Sequence, residues 1–250
     1  MKYIVANWKS NLLPQQTRQQ VSWWKKKSSQ QWPVKRKLII CGGWTDYMTS
    51  DRFKSTKVDW GVQNLSVYGR GAYTGEAAAE TLKNLGFKYS IIGHSERRRL
   101  LGETDSDISA KLKQAVTHKI TPIVCIGETV EERSAGQTRN ALRRQIKNIF
   151  SDLKPGGDLL IAYEPAWAIS TQRVDTEINP VEMGKTIGIL KQFLTEVLPA
   201  SYVSTKVRII YGGSVDGKNA TDLLAAGFDG LLVGGASLEP VELWKIINSK

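Results

Sequence analysis

Eight short apolar runs recur along the chain, and they constrain its fold more than anything else in it. They are Tyr3–Ala6, Leu38–Cys41, Val58–Val62, Tyr89–Gly93, Pro122–Ile126, Leu159–Tyr163, Val207–Tyr211 and Gly230–Val233. Each has the length of a strand buried on both faces, which a parallel sheet covered by helices requires. Helical patterns lie between them. One begins at Ala77 and is stopped by Gly86; another runs from Ser106 through Ile108, Leu112 and Val116. A third is predicted as a single helix from Val130 to Leu153, with Leu142, Ile146 and Phe150 on one stripe. Asn179-Pro180 supplies an N-cap and first residue for a fourth, through Met183, Ile187, Leu190 and Phe193. Ala220–Ala225 and Pro240–Ile247 complete the set. Strand and helix in regular alternation leave an open doubly wound sheet or a closed barrel. The length of 250 residues and the absence of GxGxxG after the first strand favour a closed eight-stranded parallel (β/α)8 barrel, one domain over residues 1–250.

Composition narrows the function classes. The chain is 41% hydrophobic, enough for one sizeable core. Met1–Ala6 runs directly into polar Asn7-Trp8-Lys9, and no signal-like or membrane-spanning run is present, so the expectation is a soluble cytoplasmic protein. Cys41 and Cys125 each end an apolar run and read as buried free thiols; no metal-ligand spacing is present, and no cofactor is called for. The net charge of +11 raises the question of nucleic acid. Its runs, Lys25–Lys27, Lys35–Lys37, Arg97–Arg99 and Arg143-Arg144, are scattered and accompany no binding motif, although Trp23-Trp24 precede the first. They are read as solvated faces, with the aromatics turned inward.

Functional groups collect at the strand ends, where a barrel of this kind places its site. The first strand ends in Asn7-Trp8-Lys9, the fourth in Gly93-His94-Ser95-Glu96, the fifth in Gly127-Glu128 and the sixth in Glu164. The last two end in Gly212-Gly213-Ser214 and Gly234-Gly235-Ala236-Ser237. Bare glycine turns let backbone N–H groups approach an anion, and a short helix after Gly235 would aim its positive end there. The substrate class read from this is a small phosphate ester. A glutamate base, a histidine and a lysine then suit proton abstraction beside a carbonyl: Glu164 takes the proton, His94 donates to the substrate oxygens and Lys9 offsets the enediolate charge. Pro165-Ala166-Trp167-Ala168-Ile169-Ser170-Thr171-Gln172 is too apolar for an idle loop and reads as a lid over the base. Asn64–Gly75 is long for a barrel loop; Tyr68 and Tyr73 on it suggest a protein partner, most simply a second copy.

With these motifs assembled, the chain resembles the triosephosphate isomerases from end to end. The matching segments are Asn7–Lys9, Gly71–Glu76, Gly93–Arg98, Gly102–Asp105, Cys125–Thr129, Tyr163–Ile169, Tyr211–Val215 and Val233–Leu238. The resemblance implies a TIM barrel that interconverts dihydroxyacetone phosphate and D-glyceraldehyde 3-phosphate, in glycolysis and gluconeogenesis. That family is the established example of a glutamate base working with a neutral histidine under a closing loop, so the roles of Glu164, His94 and Lys9 are implied by it. It further implies that Asn7 hydrogen-bonds substrate, that Glu96 tethers Lys9 in the unliganded state, and that Cys125 packs beneath the base. Ser170, Ser214, Gly234 and Gly235 would bind the phosphate. The family is dimeric, its third loop entering the neighbouring site, and Thr74, beside Tyr73, falls where its intruding threonine sits.

The chain departs from the family in two places. The lid ends Ser170-Thr171-Gln172 where the family has Gly-Thr-Gly. A left-handed backbone there would cost about 1 kcal/mol without glycine, so altered lid kinetics are expected. Cys41-Gly42-Gly43-Trp44 replaces a segment where prolines are usual, close to the expected dimer contact.

Overall fold

The computed structural model describes residues 1–30, 32–43, 57–165, 168 and 179–249. Among these, eight parallel strands close on themselves in chain order: β1 (Lys2–Asn7), β2 (Arg36–Gly42), β3 (Val58–Val62), β4 (Tyr89–Ile92), β5 (Thr121–Ile126), β6 (Leu159–Tyr163), β7 (Val207–Tyr211) and β8 (Gly230–Val233). β8 returns to β1, with Val5 opposite Leu232 and Ala6 opposite Val233, so no edge is left unpaired.

Successive side chains on a strand point to opposite faces, and this sorts the core into two bodies. Val5, Ile39, Ile91, Ile123, Leu160 and Ile210 belong to a compact cluster that fills the barrel. Ile4, Leu38, Ile92, Val124, Ile161 and Ile209 belong to a larger one, against the helices. Counting by twos up the strands puts Asn7 and Glu164 on the inward face at the top.

The covering helices are α1 (Pro14–Ser28), α2 (Ala79–Asn84), α3 (Ser95–Leu101), α4 (Asp105–Thr117), α5 (Val130–Ser134), α6 (Thr138–Phe150), α7 (Pro180–Thr195), α8 (Ala200–Lys206), α9 (Ala220–Ala225) and α10 (Pro240–Ile247). Their starts follow capping chemistry. The Thr104 hydroxyl accepts the Asp107 N–H and the Asp107 carboxylate accepts the Thr104 N–H, opening α4. The Asn179 side chain accepts from Val181 and Glu182, opening α7 with Pro180 at its first position.

Three expectations need correction. The helix expected from Val130 to Leu153 is two: α5 ends before Gly136, which takes a left-handed φ of 69°, and α6 ends at Phe150, short of Leu153. The stripe of Leu142, Ile146 and Phe150 lies wholly within α6, and the break falls in the mostly polar stretch before it. β4 stops at Ile92 rather than Gly93, because Gly93 (φ 75°) turns the chain toward His94. Helix α2 starts at Ala79, with Ala78 as its extended N-cap.

Candidate active site

Lys9 leaves β1 in the left-handed region, φ 52°, at a cost of about 1–2 kcal/mol for a residue with a Cβ. Its peptide is held on both sides. The N–H donates to Asn7 Oδ1 at 3.1 Å, and the C=O accepts Gln63 Nε2 at 2.8 Å. The same Gln63 nitrogen donates to the Cys41 carbonyl. This bend brings the lysine over the barrel mouth, its Nζ 2.6 Å from Glu96 Oε1 and its chain beside Gly234.

His94 is the N-cap of α3, and its Nδ1 accepts the Glu96 N–H at 3.2 Å. With Nδ1 engaged as an acceptor, the neutral ring carries its proton on Nε2. That Nε2 lies 3.4 Å from Glu164 Oε1. The Glu164 carboxylate is only 3% exposed. Its Oε2 accepts the Ser95 N–H at 3.0 Å, while Oε1 has no hydrogen-bond partner among the described residues. A buried carboxylate oxygen left unpaired is uncommon, and here it faces the histidine across the mouth. Burial, followed by the Glu164 charge and a hydrogen bond to that carboxylate, pushes the Cys125 thiol well up, so it stays protonated beneath Glu164.

Glycines on both flanking strands make room for Glu164. A Cβ on Gly127 would stand 1.9 Å from the Glu164 carbonyl oxygen, and one on Gly212 2.7 Å from its Cγ. A cavity of about 230 Å³ opens between Glu164, His94 and Lys9 on one side and Gly212–Asp216 and Gly234–Ala236 on the other. A 3₁₀ turn, Gly235–Leu238, starts at its far end, and Ser237 ties this turn back to the Asn7 carbonyl. The Ser214 N–H donates to the Ala168 carbonyl at 2.8 Å. So Ala168, whose own N–H donates to Pro165, rests on one of the expected anion donors. Ala166, Trp167, Ile169, Ser170, Thr171 and Gln172 of the lid, and Trp44, lie outside the described residues. Among the described residues no group of three or more His, Cys, Asp or Glu could hold a metal ion.

The Asn64–Gly75 loop is closed at its base by Ser66 N–H to Ala77 C=O. Tyr68 and Tyr73 stack flat on each other, centroids 4.1 Å apart, yet both are nearly half exposed, and Thr74 beside them is exposed too. The loop is anchored from behind by a buried network that residue-by-residue reading of the rim did not assign. The Glu103 carboxylate accepts from Gly93 N–H, Arg97 and Lys111, and Lys111 also donates to Asn64. The signal was a carboxylate just before the cap of an amphipathic helix and a lysine eight residues on, in the middle of that helix.

A family model described as triosephosphate isomerase matches residues 2–250. Curated relatives bearing that name agree over nearly the whole chain. The protein of Dictyoglomus turgidum is 37% identical over 99% of both chains. That of Moorella thermoacetica is 36% identical over 98% of this chain and 97% of its own. That of Thermus thermophilus is 38% identical over 94% and 93%.

Proposed function

The chain belongs to the triosephosphate isomerase family, and from that premise we propose that it interconverts dihydroxyacetone phosphate and D-glyceraldehyde 3-phosphate by proton transfer through an enediolate. One observation carries the assignment of roles: a buried carboxylate, an imidazole Nε2 and a lysine all border one cavity that ends in bare glycine turns.

The substrate phosphate binds the Ser214, Gly234 and Gly235 turns, with Ser170 closing over it. This leaves the carbonyl carbon pair between Glu164 and His94, with Asn7 beside them. Glu164 takes a proton from the carbon next to the carbonyl. The His94 Nε2–H donates to the carbonyl oxygen, so negative charge never accumulates fully on it, and Lys9 offsets what remains. Glu164 then returns the proton to the neighbouring carbon, while His94 recovers its own from the other oxygen. The reaction balances with no other reagent. For Lys9 to serve, its 2.6 Å bond to Glu96 is exchanged for substrate.

The working form is a homodimer in which the Asn64–Gly75 loop of one copy enters the other's site. Support comes from a long loop with two exposed stacked tyrosines, and from a groove of about 380 Å³ beside Lys9 and His94 bordered by exposed Leu100 and Leu101. No helix among the described residues is long and apolar enough to cross a membrane; the cytoplasm, where triose phosphates are handled, is the proposed location.

The test is turnover of D-glyceraldehyde 3-phosphate in a coupled assay, with Glu164→Gln alongside. The expected result is an active wild type and a loss of several orders of magnitude in the variant. A variant as fast as the wild type removes Glu164 from the mechanism; an inactive wild type removes the isomerase reading. Sedimentation across a concentration series tests the dimer, and a monomer at micromolar concentration with full activity refutes it.

A further inference from the structure

Gln145 lies on α6, behind the rim that carries the substrate-facing groups. It is 5% exposed, and both ends of its side-chain amide are engaged with the backbone of one residue. Oε1 accepts the Gly127 N–H at 3.1 Å, and Nε2 donates to the Gly127 C=O at 2.8 Å. An amide paired in this way imitates a neighbouring strand. The reason a substitute is needed lies in β4. It pairs with β5 as far as Ile92 opposite Val124, then turns off at Gly93 to deliver His94. Gly127 lies beyond that last pair, and the helix side chain takes the place of the departed strand.

On its other side Gly127 is pressed against the backbone of the base. Its Cα hydrogen occupies a space in which a Cβ would be 1.9 Å from the Glu164 carbonyl oxygen and 3.2 Å from the Pro165 nitrogen. The residue before it, Ile126, accepts the Glu164 N–H at 2.8 Å. The Glu164 carboxylate therefore stands on a peptide that Gln145 holds still, and so does Pro165, the first residue of the lid. We propose that Gln145 is a positioning residue for the isomerase reaction: acting through Gly127, it fixes the height and tilt of the Glu164 carboxylate without touching substrate. This rests on the isomerase reading above.

Gln145→Met tests it, because methionine keeps the length and the apolar stem while removing both hydrogen bonds. A displacement of the base approaching 1 Å costs on the order of 100-fold in rate, so kcat is expected to fall about 10- to 100-fold. The phosphate turns do not depend on Gln145, so KM for the triose phosphate and inhibition by inorganic phosphate should stay within about twofold. A hydroxamate analogue of the enediolate, which reads the base, should weaken in step with kcat. Gln145→Asn keeps both polar groups on a shorter arm and should show the same pattern at smaller size; it carries the test if Gln145→Met does not fold. Unchanged kcat in a folded variant overturns the proposal. So does a parallel loss of phosphate affinity, which marks a general loosening of the barrel. A wild type inactive on triose phosphates overturns the isomerase reading instead, so the two failures are distinguishable.

Discussion

Gly127→Ala places the sharpest demand on the geometry around the base. The glycine's φ is outside the left-handed region, so alanine is allowed by the backbone and the whole effect comes from contact. The new Cβ would stand 1.9 Å from the Glu164 carbonyl oxygen, and side-chain Cβ atoms essentially never come closer than 3.0 Å to such an atom. A gap of about 1 Å must open between β5 and the Glu164–Pro165 peptide. Neither side is a flexible side chain, so the strain falls on the backbone that aims the carboxylate. Overpacking of this kind costs about 1–3 kcal/mol in stability, and a 1 Å misplacement of a catalytic group about 100-fold in rate. Gly212→Ala is the graded comparison: its Cβ would meet Glu164 Cγ at 2.7 Å, a side-chain atom that can swing. It should lower kcat about tenfold while melting close to the wild type. Gly157→Ala, with nothing within 4 Å, is the control. Steady-state kinetics with thermal melts of the three variants decide the matter. A folded Gly127→Ala enzyme with full kcat, or a Gly157→Ala enzyme equally impaired, refutes the reasoning.

Other outcomes follow from groups away from the substrate. Lys111→Met removes one of two cations on a buried carboxylate; with Arg97 still in place, denaturant unfolding should show a loss of about 2–3 kcal/mol, below the full cost of a broken buried pair. Hydrogen bonds from the Thr104 hydroxyl and N–H hold the Asp107 carboxyl below its ordinary value of 3.8. Its stabilisation is therefore present above that value and lost as pH falls through the lower folded value. Asp107→Asn should accordingly narrow the drop in Tm as pH falls below 3.8, and an unchanged drop removes Asp107 as a contributor. Cys41 and Cys125 are buried and their thiols pushed up by that burial, so a thiol reagent at pH 8 should modify neither until denaturant is added; rapid labelling of one equivalent in the native protein contradicts the structure.

Several cations of the basic runs are tied into the fold by carboxylates and backbone carbonyls. In Arg97-Arg98-Arg99, Arg97 pairs with Glu103, while Arg98 pairs with Asp105 and donates to the Gly93 carbonyl beneath His94. Arg143 and Arg144 pair with Glu196 and Glu132. Arg36 donates to the carbonyls of Ile247 and Ser249, and Lys37 pairs with Asp59. The tryptophans beside Lys25–Lys27 form a cage of their own. Trp23 meets Trp24 edge-on at 4.6 Å, Trp32 meets Trp244 at 5.5 Å, and Lys27 lies over both Trp23 and Trp244. Rings committed to one another and covered by an ammonium are poor platforms for stacking bases.

What could be read from the chain in advance was whatever a strand states locally. Four of the eight strands have the expected bounds, and the inward parity that puts Glu164 at the barrel mouth needs only the rule of two applied to Leu160 and Ala162. The rim residues share one trait that makes them legible: each is a polar or glycine residue that ends an apolar run. What stayed hidden depends on partners far along the chain. Gln145 looks like any glutamine on an amphipathic helix, and only the departure of β4 at Gly93 gives its amide a peptide to hold. Gln63 likewise acquires its task only because Lys9 takes a left-handed turn beside the Cys41 carbonyl. The split of the Val130–Leu153 pattern is a different case: Gly136, left-handed in the polar stretch before the Leu142 stripe, is a local stop signal. Groups that meet substrate are thus written at strand ends, where topology forces chemistry to collect. Groups that hold them in place are written wherever the fold leaves a backbone group unpaired, and no local pattern announces that.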